Sequence, residues 1–223
     1  MITTISFINY RKNKFWAFKQ MAESHKYFVK NSNIIFYKLL GTGAGEGFSL
    51  VPDFSTYAVL AVWNDYEHAK KFIERSDHSK LILEKAYSRN DFFLKTIQSQ
   101  GLWNNKNPFN KKIVDLDKNK KIGIITRGKI RLIKQLDFWL NVPKASNAIK
   151  NAKGVEFYKG IGELPLMEQA TFSVWKNFDA VKKFAYDSQA HSEIIKKTRK
   201  RNWYSEDLFA RFMIEENNYK LLN

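Results

Sequence analysis

Two histidines lie on the apolar faces of predicted helices, and their side chains are the first candidates for chemistry. His191 follows Phe184 by seven residues and precedes Ile194 by three, so this spacing places all three on one helical face. His78 shares a face with Leu81 in the same way. Each imidazole is either a core side chain whose nitrogens are satisfied by backbone or water, or an axial ligand of a haem iron. The residues themselves leave both interpretations open.

Several arginines stand where they could serve a bound anion. Arg199, Lys200 and Arg201 come two to three turns after His191, where they would either meet haem propionates or form a solvated basic helix end. Arg127 ends a predicted strand, directly after an apolar run. It either marks a sheet end turned to solvent, or faces inward as a donor to bound dioxygen or an anionic intermediate.

Other kinds of site are excluded by what the sequence lacks. It has no cysteine, which excludes disulfides, iron–sulfur clusters, thiolate-ligated haem and cysteine nucleophiles. Neither HExxH nor GxSxG occurs, and four scattered histidines are too few for a membrane di-iron desaturase. The glycine-rich segment 41–47 is not a dinucleotide fingerprint, because Glu46 replaces the third glycine and no helix follows. We interpret it as a rim or gate over a barrel mouth, or as a flexible hairpin.

The elements that must position these residues come as an internal duplication. Phe36-Tyr37-Lys38 matches Phe157-Tyr158-Lys159, Ala61-Val62-Trp63 matches Ser173-Val174-Trp175, and His78-Ser79 matches His191-Ser192. The first copy carries about nine extra residues in its glycine-rich loop. A repeat of this kind must be recognised before any other prediction of the fold.

Each copy has the order βαββαβ, with strands expected at 57–63, 91–97 and 206–214 among others. We therefore predict an α+β fold, a dimeric α+β barrel formed within one chain by two tandem ferredoxin-like repeats. Residues 1–100 and 121–223 form the halves, and residues 101–120 link them. Trp63 and Trp175 end equivalent strands, where they are candidate walls of an apolar barrel interior or plain core residues.

The composition limits the partners. The net charge of +16 comes mostly from dispersed lysines, which favours a solvated surface first, contact with a membrane surface second and nucleic acid last. The chain has no apolar stretch long enough to span a bilayer, and its N-terminal charges follow the apolar run, unlike a signal peptide. We expect a cytoplasmic protein, with peripheral membrane contact and no nucleic-acid partner.

At this point the motifs resemble a known family. The segments GTGAGEGF, PDFSTYAVLAVW, ITRGKIR, IGELPLMEQATFSVW and HSEIIKKTRKRNWYSEDLFARF are similar to those of the spheroidene monooxygenase (acyclic carotenoid oxygenase) family. The resemblance runs from about Ile34 to Phe212. It implies oxygen-dependent oxidation of an acyclic carotenoid to a ketone through successive hydroxylations. It also implies haem on a fold similar to chlorite dismutases, dye-decolourising peroxidases and aldoxime dehydratases.

In those relatives the axial histidine lies on a helix of the C-terminal half, which favours His191 over His78. Arg127 falls in a TRxxIR stretch like the family's, which implies a distal-side group. The predicted protein is a monooxygenase with haem b (iron), a lipophilic substrate, dioxygen and an electron donor, and we also expect a homo-oligomer. Its predicted site comprises Arg127 as the catalytic residue, His191 as the metal ligand, and Arg199, Arg201, Trp175 and Trp63 beside the cofactor. The alternatives are an aldoxime dehydratase-like or peroxidase-like haem enzyme, and a non-enzymatic protein that binds haem or another apolar ligand.

Overall fold

The computed structural model describes residues 1–45, 49, 51–109, 116–164, 166–187 and 189–222. Within these ranges the side chains are described except at 142–148, 186, 187, 189–192, 194 and 195.

The chain alternates strands and helices in two similar series. The first series is β1 Ile2–Asn9, α1 Lys14–Glu23, α2 His25–Val29, β2 Ile34–Gly43, β3 Pro52–Trp63, α3 Tyr66–Arg75, α4 Asp77–Lys85 and β4 Ser88–Gly101. The second series is β5 Ile122–Ile130, a short 3-10 helix Leu132–Lys134, α5 Gln135–Lys150, β6 Val155–Gly162, β7 Glu168–Trp175, α6 Phe178–Asp187, α7 Gln189–Arg201 and β8 Tyr204–Leu221.

The eight strands close into one antiparallel barrel in the order β1-β3-β2-β6-β7-β5-β8-β4. The two halves meet at two seams of very different length. Strands β4 and β8 pair from Ser88 opposite Leu221 to Gly101 opposite Leu208, whereas β2 and β6 pair only at Gly41–Gly162 and Thr42–Ile161. The predicted barrel is confirmed in this form: a mixed α/β protein built on an eight-stranded antiparallel barrel.

Three strands are longer than the hydrophobic pattern indicates. β3 begins at Pro52, β4 spans Ser88–Gly101 and β8 extends to Leu221. The added residues are mostly polar, and their backbone groups are satisfied by the neighbouring strand. Hydrophobic periodicity does not detect such extensions, because they bury little apolar surface.

The middle of the barrel is filled by aromatic side chains. Phe172 lies 5.8 Å from Phe7 and 5.2 Å from Phe92 between ring centroids, and Phe157 lies 5.0 Å from Phe7. Phe7, Phe92 and Phe172 belong to one buried cluster with aliphatic side chains from all eight strands, and the half-buried Phe157 packs against it. The four rings pack against one another at this level of the barrel, and Phe7 and Phe157 also line a cavity of about 440 Å³. The expectation that the barrel interior holds a substrate stays a prediction.

The helices cover the outer face of the barrel and begin at side-chain caps. Asp65 accepts a hydrogen bond from the backbone N–H of His68 (2.9 Å) at the start of α3. Ser76 accepts one from the backbone N–H of Ser79 (3.0 Å) at the start of α4, which explains the break between these helices. No helix in the described ranges combines the length and the apolar character that crossing a membrane requires.

Candidate functional site

In the N-terminal half, a buried polar network closes the space between the sheet and its helices. Asp91 accepts hydrogen bonds from Ser6 Oγ (2.6 Å) and from Arg89 Nε (2.8 Å). Arg89 also donates to Ser79 Oγ (2.7 Å) and to the carbonyl of Ile73 (3.0 Å). The cavity that remains here measures only about 30 Å³. Small-molecule sites usually enclose roughly 300–1,000 Å³, so this interface has no room for a cofactor.

His78 is a packed core residue of this closed interface. Its ring lies 5.0 Å from Phe28, 5.4 Å from Tyr27 and 5.9 Å from Phe72 between centroids. Burial, and after it the charge of Arg89, lowers the pKa of His78 to about 4. A neutral imidazole surrounded by aromatic rings fits the core interpretation of this histidine.

The equivalent interface of the C-terminal half is more open. Strand register makes Thr126, Thr171 and Phe209 the counterparts of Ser6, Val59 and Asp91. Ser6 and Asp91 are buried, whereas Thr126 is exposed and Phe209 is half-buried. On this side of the sheet, Thr126 and Phe209 are therefore more exposed than Ser6 and Asp91, their counterparts in the N-terminal half.

Helix α7 lies outside the C-terminal sheet, and His191 is one of its residues. The side chain of His191 lies outside the described part of the chain, so its predicted function as a ligand stays a prediction. Lys197 Nζ donates to Asn141 Oδ1 (3.3 Å), and Arg201 forms an ion pair with Asp137, so α7 is tied to α5. Among the described residues, no three His, Asp or Glu side chains are grouped as metal ligands.

The two arginines predicted beside a cofactor differ in their surroundings. Arg201 is engaged with Asp137, which also accepts a hydrogen bond from Trp203 Nε1 (2.6 Å). The Trp203 hydrogen bond and then the Arg201 charge hold the pKa of Asp137 below its ordinary value. Arg199 is exposed, has no ion-pair partner among the described residues, and lines a cleft of about 200 Å³ with Tyr204. Of the two, only Arg199 lacks an ion pair among the described residues, and Glu206 and Asp207 line the same cleft.

Trp63 and Trp175 lie outside the barrel, between the sheet and the helices. Trp63 packs on Phe72 of α3 (centroids 5.0 Å apart) and donates to Thr4 Oγ1 (2.9 Å). Trp175 packs on Phe184 of α6 (4.9 Å) and belongs to the buried cluster beneath that helix. Their predicted position as walls of the barrel interior is wrong, because closure of the sheet turns these strand positions outward.

Arg127 faces inward and is 1% exposed, which decides between the two orientations left open by the sequence. Its guanidinium pairs with Glu206 and, through Nη2, with Glu168 Oε2 at 3.3 Å. The ring centroid of Trp103 lies 5.4 Å from its Cζ. Its Nε has no hydrogen-bond partner among the described residues.

The two carboxylates around Arg127 are held in their ionised form. Burial raises the pKa of Glu168, but a hydrogen bond from Lys129 and the charge of Arg127 outweigh it, so the net pKa is lowered. In Glu206, burial is likewise outweighed by the backbone N–H groups of Asn105 and Asn104 and by Arg127. Arg127 therefore pairs with the half-buried Glu206 and shares the buried Glu168 with Lys129.

A second charged group extends the cluster across the barrel mouth. Lys38 pairs with Glu163, which also accepts a hydrogen bond from Trp103 Nε1 (2.5 Å). Lys38, Glu163, Glu168 and Glu206 were not among the residues predicted from the sequence. The sequence did contain a signal for Lys38. It lies between Phe36 and Leu40 on the same face of β2, and both of these pack at the interior cluster, so a charged side chain occupies an inward position.

Arg127 and α7 lie on opposite sides of the C-terminal sheet. The side chain of Arg127 points into the barrel, and α7 packs with α5 and α6 outside it. Among the described side chains, Arg127 itself lines no cleft with α7, although its partner Glu206 lines the cleft that also contains Arg199.

A larger cleft of about 410 Å³ lies at the short β2–β6 seam. Its apolar walls come from both halves, with Phe18, Phe54 and Tyr57 on one side and Leu166 on the other. The Tyr57 hydroxyl is buried with no hydrogen-bond partner among the described residues. The size and lining suit an apolar ligand.

Comparison with solved structures defines the class of fold. A crystal structure of aldoxime dehydratase superposes with a TM-score of 0.65 at 10% identity, covering 99% of this chain and 84% of that chain. A second aldoxime dehydratase, solved with butyraldoxime, gives 0.63 at 9% identity over 98% of this chain and 81% of that chain. At this identity the likeness concerns the fold alone, an α/β architecture with an antiparallel barrel.

Sequence comparison then identifies the family. The spheroidene monooxygenase of Cereibacter sphaeroides is 31% identical over 216 residues, covering 95% of this chain and 66% of the relative, slightly under two thirds of its length. That of Rhodobacter capsulatus is 30% identical over 200 residues, covering 89% and 83%. No protein-family model matches the chain. The chain belongs to the spheroidene monooxygenase family, as the motifs predicted.

Proposed function

We propose that this protein is a haem-dependent monooxygenase that oxidises a lipophilic substrate, an acyclic carotenoid, to a ketone. The observation that carries this proposal is the family relationship, which extends over 95% of the chain. The relatives are named for an oxygenase acting on spheroidene. Dioxygen and an electron donor are the remaining reactants that such a reaction requires.

The asymmetry between the two halves supports the place of the cofactor. The N-terminal interface is filled by the Arg89–Asp91 pair and by His78, whereas the C-terminal interface leaves Thr126 exposed. His191 on α7 would ligate the iron, and Arg199 would neutralise a propionate. When bound, haem supplies the activation of dioxygen that no described side chain can supply.

The function proposed for Arg127 follows from its partners. Its Nη groups donate to Glu168 and Glu206 inside the barrel, so they are not available to a reacting oxygen outside it. We assign Arg127 to the stability of the barrel mouth, in place of the distal function that the family resemblance implied.

The cofactor assignment is tested by the visible spectrum of the purified protein after haem addition. We expect a Soret band that His191→Ala abolishes or shifts, while His78→Ala and His68→Ala leave it in place. His68 is an exposed control and His78 a buried one. A band that survives His191→Ala unchanged contradicts the assignment.

The reaction is tested separately with an acyclic carotenoid in detergent, supplied with oxygen and a reductant. A product that gains a carbonyl group supports the proposal. Dehydration of an aldoxime without oxygen would favour the alternative that the shared fold with aldoxime dehydratase suggests. Haem binding without any turnover would indicate a binding protein.

The seam cleft is the described cavity best suited to an apolar chain. We expect Leu166→Asp to raise KM for the carotenoid with little change in kcat, because it places a charge in an apolar wall. Leu164→Asp is the matched control, since Leu164 is a neighbouring exposed leucine that does not line the cleft. Equal kinetics for both variants would place the substrate elsewhere.

The strand order supports two tandem ferredoxin-like repeats, at residues 1–100 and 121–223, joined by residues 101–120. The strand orders β4-β1-β3-β2 and β8-β5-β7-β6 are equivalent in the two halves. The sequence matches between the halves follow the same equivalence, since Trp63 pairs opposite Ile2 and Trp175 opposite Ile122.

A further inference from the structure

The outer face of α5 and the 3-10 helix before it carries four large aliphatic side chains in solvent. Leu132 is 70% exposed, Ile133 88%, Leu136 84% and Leu140 81%. We call these four residues the aliphatic row. Single exposed leucines are ordinary on a protein surface, but a contiguous set of this exposure indicates an interaction site.

The row is a consequence of how α5 is anchored. Phe138 is 2% exposed and packs against Trp203 (centroids 5.6 Å apart) beneath the helix. Leu136 and Leu140 are two residues before and after it, about 200° around the helix, so they point away from the protein. A surface helix normally has its polar side outward, and α5 has aliphatic side chains there.

Cations flank the aliphatic row. Arg131 is exposed directly before it, and Lys134 lies within it, half-buried. On α7, which is tied to α5, Lys196 and Lys200 are exposed as well. Asp137 is the acidic side chain of the first turn of α5, and Arg201 neutralises it. The surroundings are therefore positive, consistent with the net charge of +16.

We propose that the aliphatic row docks this protein on an anionic lipid bilayer, with α5 lying in the plane of the interface. Apolar side chains on one face of a helix with lysine and arginine beside them are the features of interfacial helices. Each cation gains from the negative surface potential of anionic lipids. A stable protein interface has about 20–30 residues on each side, far more than this narrow row offers to a second copy of the chain. The proposal depends on the described residues alone and not on the function proposed above.

Vesicle flotation tests the proposal on the full chain. We expect binding to phosphatidylcholine/phosphatidylglycerol vesicles, weaker binding to phosphatidylcholine alone, and loss of affinity at high salt. The double variant Ile133→Ser/Leu136→Ser should bind the mixed vesicles at least roughly tenfold more weakly. It removes two aliphatic side chains that the bilayer would bury on docking. Val29→Ser/Leu164→Ser is the matched control, since these exposed aliphatics, 70% and 51%, lie elsewhere on the molecule.

Circular dichroism and light scattering complete the test. Because Ile133 and Leu136 are exposed, the double variant should keep the wild-type circular dichroism spectrum, which separates a loss of docking from a loss of folding. Equal vesicle binding by wild type and double variant overturns the proposal. So does a wild-type dimer that the double variant converts to monomer without any vesicle binding, because the row would then be a contact between copies.

Discussion

Arg127 is positioned by two carboxylates and an indole, and this environment explains why an arginine can be fully buried in the barrel. Removing it should leave the half-buried Glu206 without a cationic partner among the described residues, and the buried Glu168 with Lys129 alone, at 3.0 Å. We expect Arg127→Met to destabilise the fold by roughly 3–5 kcal/mol, measured by urea unfolding. Arg75→Met, at an exposed position, should change it by less than about 0.5 kcal/mol. A variant as stable as wild type but inactive would restore a catalytic function to Arg127.

His78 should make stability depend on pH. Its folded-state pKa of about 4 lies below the unfolded value, so the unfolded chain takes up the proton first as the pH falls. The stability from neutral His78 is complete above about pH 6.5 and is lost as the pH falls towards 4, an effect of roughly 3 kcal/mol. We expect His78→Gln to flatten the curve of unfolding free energy against pH in this window. An unchanged slope would show that the imidazole is not buried as described.

At the scale of elements, the end of β4 depends on a glycine. Gly101 has a φ of 86°, and a Cβ there would lie 2.2 Å from the carbonyl oxygen of Asp207 in β8. Gly45 also has a positive φ, 73°, but a Cβ there would meet nothing within 4 Å. Gly45→Ala should cost about 1–2 kcal/mol for the backbone conformation alone. Gly101→Ala should cost clearly more, because the β4–β8 pairing must also shift, and thermal unfolding of the two variants measures the difference.

At the scale of the whole molecule, the barrel has one strong seam and one weak seam. Strand β4 pairs with β8 along its whole length, from Ser88 to Gly101, whereas β2 and β6 join at two residue pairs. We expect native-state hydrogen exchange to show opening first at Thr42 and Ile161, with Leu94 and Phe212 protected to near the global unfolding free energy. Uniform protection across both seams would mean that the barrel opens only by complete unfolding.

The order of elements was predictable from the sequence because its signals are local. The hydrophobic strands and the amphipathic helices each depend on neighbours a few residues away. The family relationship was predictable for the same reason, since its motifs are continuous segments. The polar extensions of β4 and β8 were not, because only their pairing with each other gives them strand structure.

The orientation and the partners of the site residues could not be predicted from the sequence, because they depend on contacts between distant segments. Closure of the sheet decides which alternate residues face inward, and this turned Arg127 into the barrel and Trp175 out of it. The partners of the charged cluster are far apart in the chain: Lys38 and Glu163 are separated by 125 residues and Arg127 and Glu206 by 79. The sequence by itself determined the element order and the family. Only the tertiary structure decided which faces meet, because side-chain orientation in a barrel is set by strand register across distant segments.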